Sequence, residues 1–212
     1  MKYLKNFQIF EKELVLSAKE LLNTVSDKDY LKLKSPYKNM FGKVSTTFKL
    51  LLHGGPGSGK TTFLLKFAND LTSLGSVLYV SSEEFDSTTL VEKLKELMKK
   101  EGLNFELPDN LFFSKEIGNL KDYDFIIVDS VNDIGLGIDE FKEIKNKFKD
   151  KAFILVLQNT KAGDYKGGKE WEHEVDIAAK VENGVIDIFK NRYGVYSTYD
   201  FFNNKFVEDQ EK

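Results

Sequence analysis

Phe48-Lys49-Leu50-Leu51-Leu52-His53-Gly54-Gly55-Pro56-Gly57-Ser58-Gly59-Lys60-Thr61-Thr62 is the stretch on which the fold turns. Phe48 to Leu52 is an apolar run that reads as a strand, and Lys60 to Leu71 has the periodicity of a helix. Between them, Gly54 to Thr61 has the spacing of a phosphate-binding loop. The glycines let consecutive N–H groups turn inward around phosphate oxygens, and the helix beginning near Gly59 adds its unpaired N–H groups and positive dipole end. Gly54, Gly55, Pro56, Gly57, Ser58, Gly59, Lys60, Thr61 and Thr62 are therefore expected to hold ATP. Lys60 would reach the β- and γ-phosphates, and the Thr61 hydroxyl would serve Mg2+, a hard cation that takes oxygen ligands.

The residues on either side continue a strand–helix alternation. Strands are expected at Ser76–Ser81, Phe125–Val128 and Ala152–Leu157, with helices at Thr88–Lys100 and Ile138–Phe148. Apolar strands spaced by helices imply an α/β fold with a mostly parallel central sheet covered by helices on both faces. Beyond Asp176 the elements shorten to Ile177–Val181, Val185–Phe189 and Val195–Phe201. Turn signals at Asn183-Gly184 and Asn191–Gly194 separate them, so an antiparallel C-terminal addition is expected. Before the main domain, Leu14, Ala18, Leu21 and Leu22 suggest a helix over Glu11–Leu22, followed by a lysine-rich connector. The expected organisation is an N-terminal helix and basic connector over 1–43, an ATPase domain over 44–206 and a polar tail over 207–212.

Two acids complete a phosphoryl-transfer site. Asp129 ends the apolar strand Phe125–Val128, where a carboxylate faces the crevice in which such sheets bind ligands, and is expected beside Mg2+. Glu83 or its neighbour Glu84 follows the strand ending at Ser81 and could polarise an attacking water. Glu83 is the preferred candidate, with Glu84 solvated or capping a helix.

Composition narrows the classes. The chain has 212 residues, 41% of them hydrophobic, enough for one sizeable core. A net charge of −3 argues against a wholesale polycation, and the absence of cysteine removes disulfides, thiolate zinc sites and thiol nucleophiles. No apolar stretch is long enough to span a membrane and the N-terminus lacks the pattern of a signal peptide, so a cytoplasmic protein with no membrane partner is expected. Arg192 is the only arginine, so 30 of the 31 basic Lys and Arg residues are lysine. A lone guanidinium suits a position where a forked, permanent cation must meet phosphate oxygens.

Taken together, these motifs resemble the RecA/RadA-type P-loop ATPase core. The resemblance rests on Gly-Pro-Gly-Ser-Gly-Lys-Thr-Thr at 55–62, Leu-Tyr-Val-Ser-Ser-Glu-Glu at 78–84 and Ile-Ile-Val-Asp-Ser at 126–130. It continues through Leu-Gln-Asn-Thr-Lys at 157–161, Glu-His-Glu-Val-Asp at 172–176 and Lys-Asn-Arg-Tyr-Gly at 190–194. It implies a RecA-like fold in which Glu83 activates water and Gln158 senses the γ-phosphate. It also implies that Lys190 and Arg192 reach the nucleotide of a neighbouring subunit in a homo-oligomer. Without cysteines, and with little chain after Gly194, the sequence looks like the core alone, without the zinc finger and protease-like domain of RadA. Gln158 stands where RadA has histidine.

The same resemblance implies single-stranded DNA as a partner, in recombination, repair or replication, together with a replication or recombination protein. Lys161, Tyr165, Lys166 and Lys169 are the candidate contacts, in a glycine-rich loop that mixes positive charge with aromatic faces and ends at Trp171. Composition alone reads equally well as a solvated loop with a core tryptophan. A nucleotide-switched regulatory or assembly ATPase that binds a protein and no DNA is the alternative function.

Overall fold

The computed structural model describes residues 16–85, 87–100, 108–159 and 168–207. Two compact units are present, Met1–Tyr30 and Leu31–Lys212. In the first, α1 (Ala18–Leu22) begins with a reciprocal cap: Ser17 Oγ accepts from Glu20 N–H at 3.3 Å while the Glu20 carboxylate accepts from Ser17 N–H at 2.8 Å. This helix buries none of its residues. The expected helix began at Glu11, and residues 11–15 lie outside the described part.

The second unit is built on a nine-stranded sheet. In chain order its strands are β1 (Lys49–Gly54), β2 (Val77–Val80), β3 (Leu111–Ser114), β4 (Phe125–Val128) and β5 (Ala152–Gln158), then β6 (Ile177–Glu182), β7 (Val185–Asn191), β8 (Thr198–Asp200) and β9 (Lys205–Val207). The spatial order is β3-β2-β4-β5-β1-β6-β7-β8-β9, with parallel pairing from β3 to β6 and antiparallel pairing from there to β9. The helices are α2 (Tyr37–Phe41), α3 (Lys60–Leu71), α4 (Thr88–Lys100), α5 (Ile138–Lys147) and α6 (Gly168–Glu174).

Strand residues alternate between two cores, as the period of two requires. Leu50, Leu52, Val77, Tyr79, Ile127 and Ile154 face one core, with Phe63, Phe67 and Leu71 of α3 and Tyr37, Met40 and Phe41 of α2. Leu51, Leu78, Ile126, Val128, Phe153 and Leu155 face the other, with Phe141 of α5 and Trp171 of α6. Aromatic contacts fasten α2 to α3: the Tyr37 and Phe67 rings lie 4.6 Å apart and those of Phe41 and Phe67 5.5 Å apart. The lysine-rich connector is thus partly core, with Tyr37 and Phe41 buried while Lys32, Lys34 and Lys38 stay exposed.

The β6–β7 hairpin turns at Asn183 and Gly184, with φ of 49° and 81°. Those values are what a two-residue turn matching the strand twist demands. Further along, a bulge opposite Ala178/Ala179 shifts the phase of β7, so that Asn191 points into the core and Lys190 lies at its edge.

Candidate active site

The C-terminal ends of β1, β2, β4 and β5 open on one crevice of about 340 Å³, lined by Pro56, Gly57, Lys60, Thr61, Ser81, Glu83, Glu84, Asp129, Asp133 and Gln158. Residues far apart in sequence meet there because parallel strands carry their C-terminal ends to the same edge.

The loop from Gly54 to Gly59 is held closely by its neighbours. A Cβ on Gly54 would stand 2.2 Å from the Val181 carbonyl oxygen of β6, so no larger residue fits. Gly59, at φ +99°, caps α3, and a Cβ there would meet Phe201 at 2.9 Å and Phe202 at 3.3 Å. The hairpin turn is tied to the same loop, with Gly184 N–H donating to Ser58 O at 3.0 Å. Lys60 Nζ donates to the carbonyls of Gly54 (2.9 Å) and Gly55 (2.8 Å). Burial pulls the Lys60 ammonium below the ordinary lysine range, and the charges of Asp129 and Asp133 oppose that shift.

Asp129 Oδ2 accepts two hydroxyl protons, from Thr61 Oγ1 at 2.9 Å and from Tyr79 OH at 2.6 Å. Burial raises the Asp129 carboxyl above its ordinary value, and the Tyr79 and Thr61 hydrogen bonds pull it partly back. Tyr79 is fully enclosed, and burial followed by the Asp129 charge pushes its phenol well above the usual range. Thr61 and Asp129 offer oxygen donors alone, and the described residues contain no cluster of three or more His, Cys, Asp or Glu able to hold a metal. Such a site fits a cation that keeps phosphate oxygens and waters for most of its ligands, as Mg2+ does.

Glu83 is exposed at the crevice mouth. Glu84 differs from the expectation of a solvated or capping residue: its Oε1 accepts from Lys93 of α4 at 2.5 Å, and its Oε2 is buried without a hydrogen-bond partner. Gln158 Nε2 donates to Asp133 Oδ2 at 2.8 Å, and Ser130 Oγ donates to the same oxygen. Asp133 and Tyr79 were not singled out in the sequence. The acid four residues beyond Asp129 was the available signal for Asp133, whereas the tyrosine looked like one more core position.

Lys190 and Arg192 lie at the other end of the sheet. Asn191 pairs with Ile177 and Ile177 with Leu50, so they lie two strands away from β1 and about 13 Å, four strand residues, behind Gly54 along the strand direction. Lys190 Nζ donates to the carbonyls of Glu172 and, at 2.8 Å, Val175. Arg192 Nη1 meets Asp176 Oδ1 at 3.1 Å and Nη2 meets His173 O at 3.3 Å, with its side chain 57% exposed. Among the DNA candidates, Lys169 is exposed on the first turn of α6, and Lys161, Tyr165 and Lys166 lie outside the described residues. Trp171 is a core residue, 5% exposed, with its ring 5.4 Å from that of Phe141. It offers no face to a base.

The architecture and the loop–acid constellation define a P-loop ATPase. The family model described as "GvpD gas vesicle protein, P-loop domain" matches residues 38–139. The chain is 30% identical over 174 residues to the "DNA repair protein RadA" of Campylobacter jejuni, an alignment covering 68% of this chain and 37% of that one. It is 28% identical over 173 residues to the protein of the same name from Aquifex aeolicus, covering 68% and 37%. The chain therefore spans little more than a third of the length of the curated relatives it matches. Among solved structures, the flagellar accessory protein FlaH from Methanocaldococcus jannaschii superposes with a TM-score of 0.58 over 85% of this chain and 99% of that one, at 14% identity. The chain is a P-loop ATPase core of the RecA/RadA type. No helix among the described residues is long and apolar enough to cross a membrane.

Proposed function

We propose that the protein hydrolyses ATP in an assembly of like subunits and uses the cycle on single-stranded DNA. The observation that carries the ATPase half is the convergence of Lys60, Thr61, Asp129, Glu83 and Gln158 on one crevice at four strand ends. The backbone N–H groups of Gly57–Lys60 would cradle the phosphates, and the Lys60 ammonium would neutralise β- and γ-oxygens. Mg2+, held by Thr61 with Asp129 behind it, would supply further charge neutralisation on those oxygens. Glu83 would take a proton from the water that attacks the γ-phosphorus, the bond to the β–γ bridging oxygen breaking as the new P–O bond forms. Gln158, bonded to Asp133, would register whether the γ-phosphate is present. Phe202, exposed beside Gly59, supplies an aromatic wall for the nucleotide base.

The position of Lys190 and Arg192 supports action in trans. Both are too far along the sheet to reach their own phosphate loop, and the Arg192 guanidinium, held by a single Asp176 oxygen and one carbonyl, is itself more than half exposed and accessible to phosphate oxygens of a neighbour. The DNA half rests on the RadA relatives and on exposed Lys169 beside the stretch 160–167. The second reading, a nucleotide-switched regulator that binds a protein, draws on the match to a gas vesicle protein domain.

ATP hydrolysis measured with and without single-stranded DNA, at low and moderate salt, separates the two, with Lys60→Ala as the inactive control. Salt-sensitive stimulation supports the DNA reading. Hydrolysis that ignores DNA but vanishes in the control favours the protein partner. Arg192→Ala should bind ATP almost normally and lose most of its turnover; full turnover would sink the assignment in trans.

A further inference from the structure

Asp129 sits just past the end of β4, where its N–H still donates to Val80 O of β2 at 2.8 Å. On β2, Tyr79 pairs with Ile127, two residues before Asp129. Two residues along a strand cover roughly 6.6 Å, about the reach of a tyrosine side chain from backbone to hydroxyl. The phenol therefore spans from the middle of the sheet to the carboxylate without leaving the core. Its ring is fully buried and lies 5.4 Å from that of Phe113. Phenylalanine would fill the same space, so packing does not explain the hydroxyl. A buried O–H needs an acceptor, and this one donates to Asp129 Oδ2 at 2.6 Å.

Thr61, on the first turn of α3, donates to the same oxygen. Two hydroxyls on one carboxylate oxygen fix the rotation of the group. Asp129 lines the crevice and is not fully buried, and with Oδ2 taken by the two hydroxyls its other oxygen is the one available to a ligand there. Thr61 is itself the loop's cation ligand in the reading given above, and its hydroxyl position depends on where Oδ2 stands. A carboxylate free to swing would carry that hydroxyl with it.

We propose that Tyr79 is a positioning residue for the cation site, its phenol clamping Asp129 so that the carboxylate and the Thr61 hydroxyl stay in register with the phosphate loop. The inference rests on the ATPase reading of the crevice. Partners outside the direct ligand set of a metal commonly change its affinity 10- to 100-fold. Tyr79→Phe removes one oxygen atom and keeps the ring.

The test is Mn2+ binding, followed by the electron paramagnetic resonance signal of the free ion, in the presence of a non-hydrolysable ATP analogue. Affinity of a fluorescent ATP analogue in excess EDTA is measured alongside, with both experiments run well below the melting temperature of each variant. Tyr79→Phe is expected to weaken Mn2+ about 10-fold while the metal-free nucleotide affinity stays within about 2-fold. Mn2+ affinity equal to wild type overturns the proposal. A parallel fall in metal-free nucleotide affinity also overturns it, because it would mark a general loosening of the site. Asp129→Ala separates the levels. If it abolishes Mn2+ binding and Tyr79→Phe changes nothing, only the clamp fails. If the wild type binds no Mn2+ with nucleotide, or Asp129→Ala leaves binding intact, the underlying reading of the crevice fails as well.

Discussion

Replacing Asn191 by alanine tests how the strand bearing Lys190 and Arg192 is held. The side chain is 4% exposed and makes three bonds to backbone. Its Nδ2 donates to Phe41 O at 3.1 Å and to Val195 O at 2.7 Å, and its Oδ1 accepts from Tyr193 N–H at 2.8 Å. Alanine leaves all three backbone groups without these partners. At about 1 kcal/mol net per bond the loss is about 3 kcal/mol, and more where the orphaned group stays dry. A domain of this size melts roughly 2–4 °C lower per kcal/mol, so a fall of about 6–12 °C is expected by calorimetry or circular dichroism. Asn191→Asp keeps the acceptor for Tyr193 but loses both donors, and should be no better. Because the same turn carries Lys190 and Arg192, turnover should fall further than ATP affinity when both are measured below the melting range. A melting temperature within about 2 °C of wild type would show that water replaces the carboxamide and would refute the reasoning.

Asp129→Asn should raise stability while abolishing turnover. Burial lifts the folded-state value of this carboxyl, so its contribution to stability is present in full below the ordinary carboxylate range and is lost as pH rises through the lifted value. At neutral pH the wild type lacks that contribution, and asparagine, which can still accept from Thr61 and Tyr79, escapes the cost. Melting curves should place the variant above wild type near pH 7.5, with the gap closing toward about pH 4; a variant less stable at neutral pH would contradict this account. Phe202→Ala should raise the KM for ATP about 2- to 13-fold with little change in kcat, the signature of lost uniform binding, since stacked aromatic contacts carry about 0.5–1.5 kcal/mol. Unchanged KM would remove Phe202 from the base site.

The elements legible in the sequence were those whose local pattern and tertiary role agree. Lys60–Leu71 carries a helical apolar stripe and starts at a glycine-rich loop, and the helix has those bounds. Asn183-Gly184 allows positive φ at both turn positions, and a tight hairpin forms there. β3 was missed because Leu111–Ser114 is a short edge strand, half in solvent on both faces and without alternation. The helix Tyr37–Phe41 was hidden by surrounding lysines, whose charges are compatible with burial of every third or fourth side chain. At the site, residues set by a motif were readable, whereas Tyr79 and Asp133 act through contacts across strands. Only the order of the sheet brings Tyr79, fifty residues earlier in the chain, against Asp129.

The β6–β7 hairpin joins features that the sequence presents as unrelated. Its turn is bonded to the phosphate loop through Gly184 and Ser58, and Val181 closes on Gly54 with no room for a side chain. Phe202 packs over the turn so closely that a Cβ on Gly184 would lie 2.0 Å from its ring. At the far end of the same strand stand Lys190 and Arg192. A paired strand transmits displacement along its length because its ladder bonds and packed faces leave no slack. A change in the loop that moves Gly184 must either break the Ser58 bond or carry β7 with it. The bulge opposite Ala178/Ala179 is the one irregularity in this pairing, and it lies between the turn and the cations. It is therefore the point at which such a movement can be absorbed, so the stiffness of that single step decides how far the two ends of the hairpin are coupled.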